Sequence, residues 1–289
     1  MTPLRQRMIE ELQRRNYSQA TIESYIFSVQ EFAKHFHKSP DLLGAEEVRQ
    51  YQLYLINEKK LAAQTVKVRM SALRFFYWKT LKRRDIYFDD LLMPKTPKKL
   101  PVVLSPDEVL RLIKAASSLM HRTILILLYA TGIRRAELRW LKVGNIDSQR
   151  MVIHIEQGKG RRDRDIPMTP IVLELLREYR RHTKSRVYMF PSPLVPDKPI
   201  SSKTVWNVVH EAAVRAGMTK RIGPHTLRHS FATHHIEGGT ELLVLQSLLG
   251  HAELKNTLLY VHLSQHRMRA AVNPLDRLTL QSPPDSVQS

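Results

Sequence analysis

Four short stretches of this chain carry side chains able to handle a phosphate. In "ATGIRRAEL" an apolar run stops at Gly132, Arg134 emerges from the turn, and Glu137 sits one helical turn further on. Taken alone, that pair reads equally well as a surface ion pair. In "GPHTLRHSFATHHIEGG", Pro224 fits a helix start. His225 and Arg228, three residues apart, then share a face near the positive end of the helix dipole, which suits an anion. His225 and His229 also have the i, i+4 spacing of a metal pair, but no carboxylate base lies between them. His229, His234 and His235 are therefore read as packing or surface residues. In "QGKGRRDRDIP", Lys159 occupies a glycine-flanked turn whose tip is crowded by Arg161, Arg162 and Arg164. In "LLGHAELKNTLLYVHL", His251 follows Gly250, and Tyr260 comes nine residues later. Nine steps of about 100° along one straight helix would put those two on opposite faces. They converge only if the chain bends, and "HAELKNT" offers the bend, with Asn256 or Thr257 as the cap.

The elements that must position these groups are mostly helical. Ser18 is the expected N-cap of a helix running to about Phe36, "GAEEVRQYQLYLINEKK" is a second, and "AAQTVKVRMSALRFFYWKTLK" a third. In the third, Val66, Met70, Leu73 and Tyr77 make an apolar stripe, while Lys60, Lys67, Arg74 and Lys82 fall on a separate narrow arc. The arc is a solvated face or a DNA-facing one. "MPKTPKKLP" cannot continue a helix and reads as an extended basic linker carrying Lys95, Lys98 and Lys99. Beyond it, "LSPDEVLRLIKAA" opens with a cap signal and "HRTILILLYATG" is a buried helix. "MVIHIEQGKGRRDRDIPM" alternates with period two, as a β-hairpin does. Further helices follow, one from about Ile171 to Thr183 and three ended by Gly217, by Gly238 with Gly239, and by Gly250. The expected domains are 1–93, helical; 94–101, linker; 102–275, the domain that carries all four stretches; and 276–289, a disordered tail.

Composition narrows the partners. Across 289 residues, Lys and Arg number 46 against 27 Asp and Glu, a net charge of +19. Such a balance favours a polyanion, because neutralised phosphates release condensed counterions. Nucleic acid leads; a basic protein without such a partner is the alternative. There is no cysteine, which excludes disulfides, thiolate catalysis and cysteine-bound zinc. No apolar run approaches the ~20 residues of a membrane span, and no signal peptide is visible at the start. The expected location is cytoplasmic and nucleoid-associated.

Together these stretches resemble the tyrosine recombinase, or phage integrase, family. "TGIR" matches the family's first arginine box and places its catalytic arginine on Arg134. "GKG" places the hairpin lysine on Lys159, "HTLRHSFATH" the histidine and second arginine on His225 and Arg228, and "LLGH" the last histidine on His251. Tyr260 takes the place of the nucleophile. The resemblance is clear from about Leu104 to Arg269 and looser before it. It implies a mainly α fold, with a helical SAM-like core-binding domain before a mixed α/β catalytic domain that holds a small β-hairpin. The layout is closest to Xer-type recombinases and the integrases of mobile elements, without an arm-site domain.

The resemblance also implies the chemistry. Arg134 and Arg228 would grip the non-bridging oxygens of a phosphodiester in forked hydrogen bonds, with a further bond from His251. A tyrosine hydroxyl, with a pKa near ~10, needs activation, and His225 is the candidate base. Lys159 would protonate the leaving 5′-oxygen. A 3′-phosphotyrosyl ester would follow, resolved through a Holliday junction without metal, cofactor or ATP. The partners would be double-stranded DNA clamped between the domains and a homotetramer, or a heterotetramer with a paralogue, whose protomers exchange a C-terminal segment; "SQHRMRAAV" is that segment or a terminal helix packed on its own domain. The expected DNA contacts are Lys60, Lys67, Arg74, Lys82, Lys95, Lys98, Lys99, Arg161 and Arg162. The competing functions are a type IB topoisomerase and a DNA-binding protein with a dead site.

Overall fold

Hydroxyl caps open many of the helices, as their sequence positions suggested. The computed structural model describes residues 2–83, 100–156, 163–183, 185–195 and 197–264. Lys95, Lys98, Lys99, Lys159, Arg161 and Arg162 lie outside them, as does everything after Ser264. The chain divides into two units, Met1–Lys99 and Leu100–Ser289.

The first unit holds α1 (Pro3–Arg14), α2 (Gln19–Phe36), α3 (Ala45–Asn57) and α4 (Ala63–Phe75). The Ser18 hydroxyl accepts from the Thr21 amide at 3.3 Å. It satisfies an otherwise unpaired first-turn donor and starts α2 where expected. Val66, Met70, Leu73 and Tyr77 are all fully buried, joining Phe32, Tyr51 and Phe76 in one core. The basic arc needs correcting. After Phe75 the chain widens into a π-turn, Phe76–Thr80, which changes the angular phase. Lys60 and Lys82 sit outside α4 on left-handed backbone, at φ of 48° and 58°. Only Lys67 and Arg74 ride on α4 itself, both exposed.

In the second unit, α5 (Pro106–Lys114) starts from a reciprocal box in which the Ser105 hydroxyl accepts from the Glu108 amide and Glu108 accepts from the Ser105 amide. Next come α6 (Leu119–Thr131) and α7 (Arg135–Trp140). An antiparallel sheet in the order β1 (Ile146–Asp147), β2 (Val152–Ile155), β3 (Arg164–Pro167) follows. The expected hairpin is present, with β1 as an added edge. Ile153 lies opposite Ile166 and Ile155 opposite Arg164, so alternate residues turn inward. His154 and Asp165 pair on the outer face at 2.7 Å. The unit is completed by α8 (Pro170–His182), α9 (Ser202–Arg215), α10 (Pro224–Glu237), α11 (Leu242–Leu249) and α12 (Lys255–Leu263).

Helix α6 is apolar nearly all round, the mark of a buried helix. It is the centre of the larger core, packed by α5, α8, α9 and α10. A smaller core joins α10, α11 and α12 through Phe231, Ile236, Leu245, Leu249 and Tyr260. The mainly helical class with one small sheet is the expected one. Among the described residues, no helix is long and apolar enough to cross a membrane.

Candidate active site

Two helix C-termini converge on the site and supply its scaffolding. The last carbonyls of a helix have no partner within it, and here arginines take them. Helix α6 stops at Gly132, which is left-handed at φ 57°. A Cβ there would meet Phe231 Cδ1 at 2.5 Å and Leu249 Cδ2 at 3.2 Å. Glycine is therefore required twice over, for its backbone and for its lack of bulk. Helix α11 stops at Gly250, φ 59°. Arg228 Nη1 donates to the Gly132 carbonyl, and its Nη2 donates to that of Leu249 at 2.7 Å. Arg134 Nη2 donates to the Gly250 carbonyl at 2.9 Å.

Glu137 organises the arginines. Its carboxylate accepts from the Arg134 amide at 2.9 Å and from Arg134 Nη1 at 2.7 Å. On its other side Arg164 Nη2 and Nη1 donate to it at 2.7 and 3.1 Å, while Arg164 Nε donates to the Leu248 carbonyl at 2.9 Å. The sequence puts Arg164 among the cations of the hairpin tip. It is instead an inward residue of β3, packed so closely that a Cβ on Gly250 would meet its Cδ at 3.0 Å. Burial alone would raise the Glu137 pKa, but Arg164 and then Arg134 outweigh it and bring it down to about 2.

Arg228 is 3% exposed. Burial, then the charge of Arg134, lowers its pKa to about 10, which leaves it a cation at neutral pH. Arg134 and Arg164 share the Glu137 carboxylate, and with Arg228 beside them the site keeps an excess of buried positive charge. Arg228 Nη2 also lies 3.1 Å from His251 Nε2. A guanidinium can only donate, so His251 Nε2 accepts. Its Nδ1 then carries the proton toward Thr257 Oγ1 at 2.9 Å.

The chain does bend between His251 and Tyr260, but not with the expected cap. Gly250 turns it, His251–Leu254 is non-helical, and α12 begins after Leu254 with no side-chain cap. Asn256 and Thr257 lie inside α12, and Thr257 is fully buried, its hydroxyl spent on His251. The bend stacks the Tyr260 ring on the His251 ring at 6.2 Å and 11°. Tyr260 is 2% exposed. Burial raises its pKa, with Arg228 pulling the other way.

The Tyr260 hydroxyl lies 3.2 Å from Nδ1 of His229, a residue first read as packing or surface, not from the His225 nominated as base. Burial, then His225 and Arg228, brings the His229 pKa down to about 4. His225 is exposed one turn earlier, its ring 6.4 Å from that of His229. Partial burial, then Arg228, Arg135 and Arg134, lowers its pKa as well. The other two histidines do pack: His234 bonds the Tyr129 hydroxyl at 2.9 Å and His235 bonds Thr240 at 2.9 Å. Among the described residues, no group of three His, Cys, Asp or Glu could hold a metal. The structure thus brings Arg134, Arg228, His251 and Tyr260 together, leaves His225 at the rim, and adds Glu137, Arg164, His229 and Thr257.

Known proteins align with this arrangement along most of its length. The phage integrase family pattern matches residues 102–267, and the phage integrase N-terminal SAM-like domain matches residues 4–85. The chain belongs to the phage integrase family. It is a tyrosine-type site-specific recombinase. The chain y4qK of Sinorhizobium fredii, provisionally named an integrase/recombinase, is 43% identical to it over 98% of this chain and 92% of that one. Tyrosine recombinase XerD of Staphylococcus saprophyticus is 31% identical over 81% and 83%. The crystal structure of XerA recombinase is 30% identical and covers 92% of this recombinase and 95% of that chain, with a TM-score of 0.54. A lambda integrase dimer bound to a core site, 21% identical with a TM-score of 0.72, covers 92% of this recombinase and 77% of that chain, and shares its fold.

Proposed function

We propose that this recombinase cuts and rejoins duplex DNA at a specific site through a 3′-phosphotyrosyl ester on Tyr260. The observation that carries the reading is the buried excess of guanidinium charge packed against that hydroxyl. Attack on a phosphodiester loads negative charge onto the non-bridging oxygens, and preorganised guanidiniums in a water-poor site stabilise it without reorganising. Arg134 and Arg228 are held in place by helix-end carbonyls and by Glu137, so their remaining N–H groups are aimed before DNA arrives. His225, at the rim, contacts the same phosphate. His251 joins them once its Nε2 carries a proton instead of accepting from Arg228. Because Tyr260 is almost wholly buried, α12 must shift to bring its hydroxyl to phosphorus.

Lys159, in the connection between β2 and β3, protonates the leaving 5′-oxygen. The phosphotyrosyl ester keeps the energy of the cleaved bond, so rejoining draws on neither ATP nor a metal. Lys60, Lys67, Arg74, Lys82, Lys95, Lys98, Lys99, Arg161 and Arg162 neutralise flanking phosphates. Four protomers on two duplexes exchange strands in pairs through a Holliday junction. DNA-bound relatives, the lambda integrase dimer on its core site and XerH on its difH substrate, support duplex DNA as the partner.

The test uses duplexes recovered by this chain from a random-sequence pool, nicked to trap the intermediate. The parent forms a denaturant-resistant protein–DNA adduct, and Tyr260→Phe forms none while retaining DNA affinity. An adduct in the Phe variant would refute the assignment. Relaxation of supercoils with no exchange between two sites would instead mark a type IB topoisomerase.

A further inference from the structure

His229 directly follows Arg228, and one step of about 100° around α10 turns it away from the helix-end carbonyls toward α12. There its Nδ1 meets the Tyr260 hydroxyl at 3.2 Å, with the two rings 5.7 Å apart. Among the described residues, it is the imidazole recorded within hydrogen-bonding distance of that oxygen. His251 stacks on the Tyr260 ring and spends its Nδ1 on Thr257. The groups facing His229 are His225 and Arg228 from its own helix and Tyr260 from α12. His251 and Arg134 lie beyond Arg228, and Tyr129 of α6 engages His234 further along.

We infer that His229 is the general base of strand cleavage and the general acid of rejoining. The inference rests on Tyr260 as the nucleophile. As the Tyr260 oxygen forms its bond to phosphorus, the O–H proton passes to His229 Nδ1, the phosphorus–O5′ bond breaks, and the 5′-oxygen departs with a proton from a separate donor. In the reverse step the 5′-hydroxyl attacks, giving its proton back to the conjugate base of that donor, the phosphotyrosyl bond breaks, and the imidazolium returns its proton to the tyrosine oxygen. The base must be the tautomer with hydrogen on Nε2, so that Nδ1 accepts. Burial, with the nearby His225 and Arg228, keeps His229 neutral at physiological pH, whereas burial keeps Tyr260 protonated. Donor and acceptor thus start in the required states. The phosphodiester that the arginines recruit counters the Arg228 charge and makes the imidazole a stronger base when substrate is in place.

The experiment measures single-turnover adduct formation by the full chain on the nicked, pool-selected duplex across pH about 6 to 9, a range in which a neutral imidazole base stays available. The parent profile is shallow. His229→Ala and His229→Gln lose about 10²- to 10⁴-fold near neutral pH, the usual contribution of a positioned base. Their rates then climb about tenfold per pH unit as hydroxide takes over the deprotonation, and added imidazole partly restores the Ala variant. The Gln variant can still bond the tyrosine, so it separates proton transfer from packing. A slow His229→Gln whose pH profile runs parallel to the parent overturns the inference, as does the steep profile appearing in His225→Ala and not in the His229 variants. An adduct in Tyr260→Phe would sink the nucleophile reading itself, a result separable from either.

Discussion

Tyr77 in the first unit and Tyr260 in the second are both buried tyrosines near an arginine, and burial does not tell them apart. Tyr77 is fully buried, and its hydroxyl donates to the carbonyls of Pro40 at 2.7 Å and Leu43 at 3.2 Å, with Arg83 over the ring at 5.6 Å. Those acceptors cannot take up its proton. Tyr260 is 2% exposed, but its hydroxyl faces an imidazole, and the arginines around it outnumber the carboxylates. On the proposed assignment, a structural tyrosine ends on groups of fixed protonation and a reactive one on a group that can change. The difference lies in the partner and in the sign of the surrounding charge.

Four measurements sharpen or break that contrast. The largest effect is on adduct formation, abolished by Tyr260→Phe and untouched by Tyr77→Phe; loss in both would erase the distinction. Next, Arg134→Lys keeps the charge but cannot span Glu137 and the Gly250 carbonyl while also gripping phosphate. Its cleavage rate should fall by about 10²- to 10³-fold, in line with removal of one oxyanion donor; near-parent activity would show that point charge suffices. Third, Glu137 has a pKa of about 2 against an ordinary 4.5. It therefore contributes stability that is complete above the ordinary value and is lost as pH falls toward the folded-state one. Urea unfolding should find Glu137→Gln less stable than the parent by on the order of 3 kcal/mol at neutral pH. The two proteins should converge in acid, and a gap independent of pH would argue against the ion-pair account. The smallest effect is on folding of the first unit, where Tyr77→Phe should cost about 1 kcal/mol for its lost hydrogen bond, read as a shifted denaturation midpoint.

The site was legible wherever a residue's role follows from its own neighbours in sequence. Arg134 after a helix-stopping glycine, Arg228 beside His225 on one helix face, and the capping serines at 18 and 105 all carry local signals, and the structure places each helix start accordingly. His229 reads as packing or surface because the one signal in its sequence, the i, i+4 spacing to His225, lacks the carboxylate of a metal site, whereas its partner arrives from α12 after a reversal of the chain that only tertiary packing aims. Arg164 could have been found. Arg164, Ile166 and Met168 alternate with Asp163, Asp165 and Pro167, so the period that turns Ile166 inward also turns Arg164 inward. The cap went wrong because Thr257, a good cap by type, was worth more to His251 as a hydrogen-bond partner inside the helix. Lys82 left the arc because the π-turn reset the helical phase, which composition does not announce, and Lys60 because it lies in the left-handed turn before α4 begins.

The two left-handed glycines bear on how a mutational survey of this recombinase would read. Any side chain at Gly132 collides with Phe231, and any at Gly250 crowds Arg164. A library scored for recombination would therefore rank both glycines with the proposed nucleophile, Tyr260, although neither presents a reactive group. Intolerance to substitution at these positions measures how little room Phe231 and Arg164 leave, and only a chemical readout such as adduct formation would sort scaffolding from reaction.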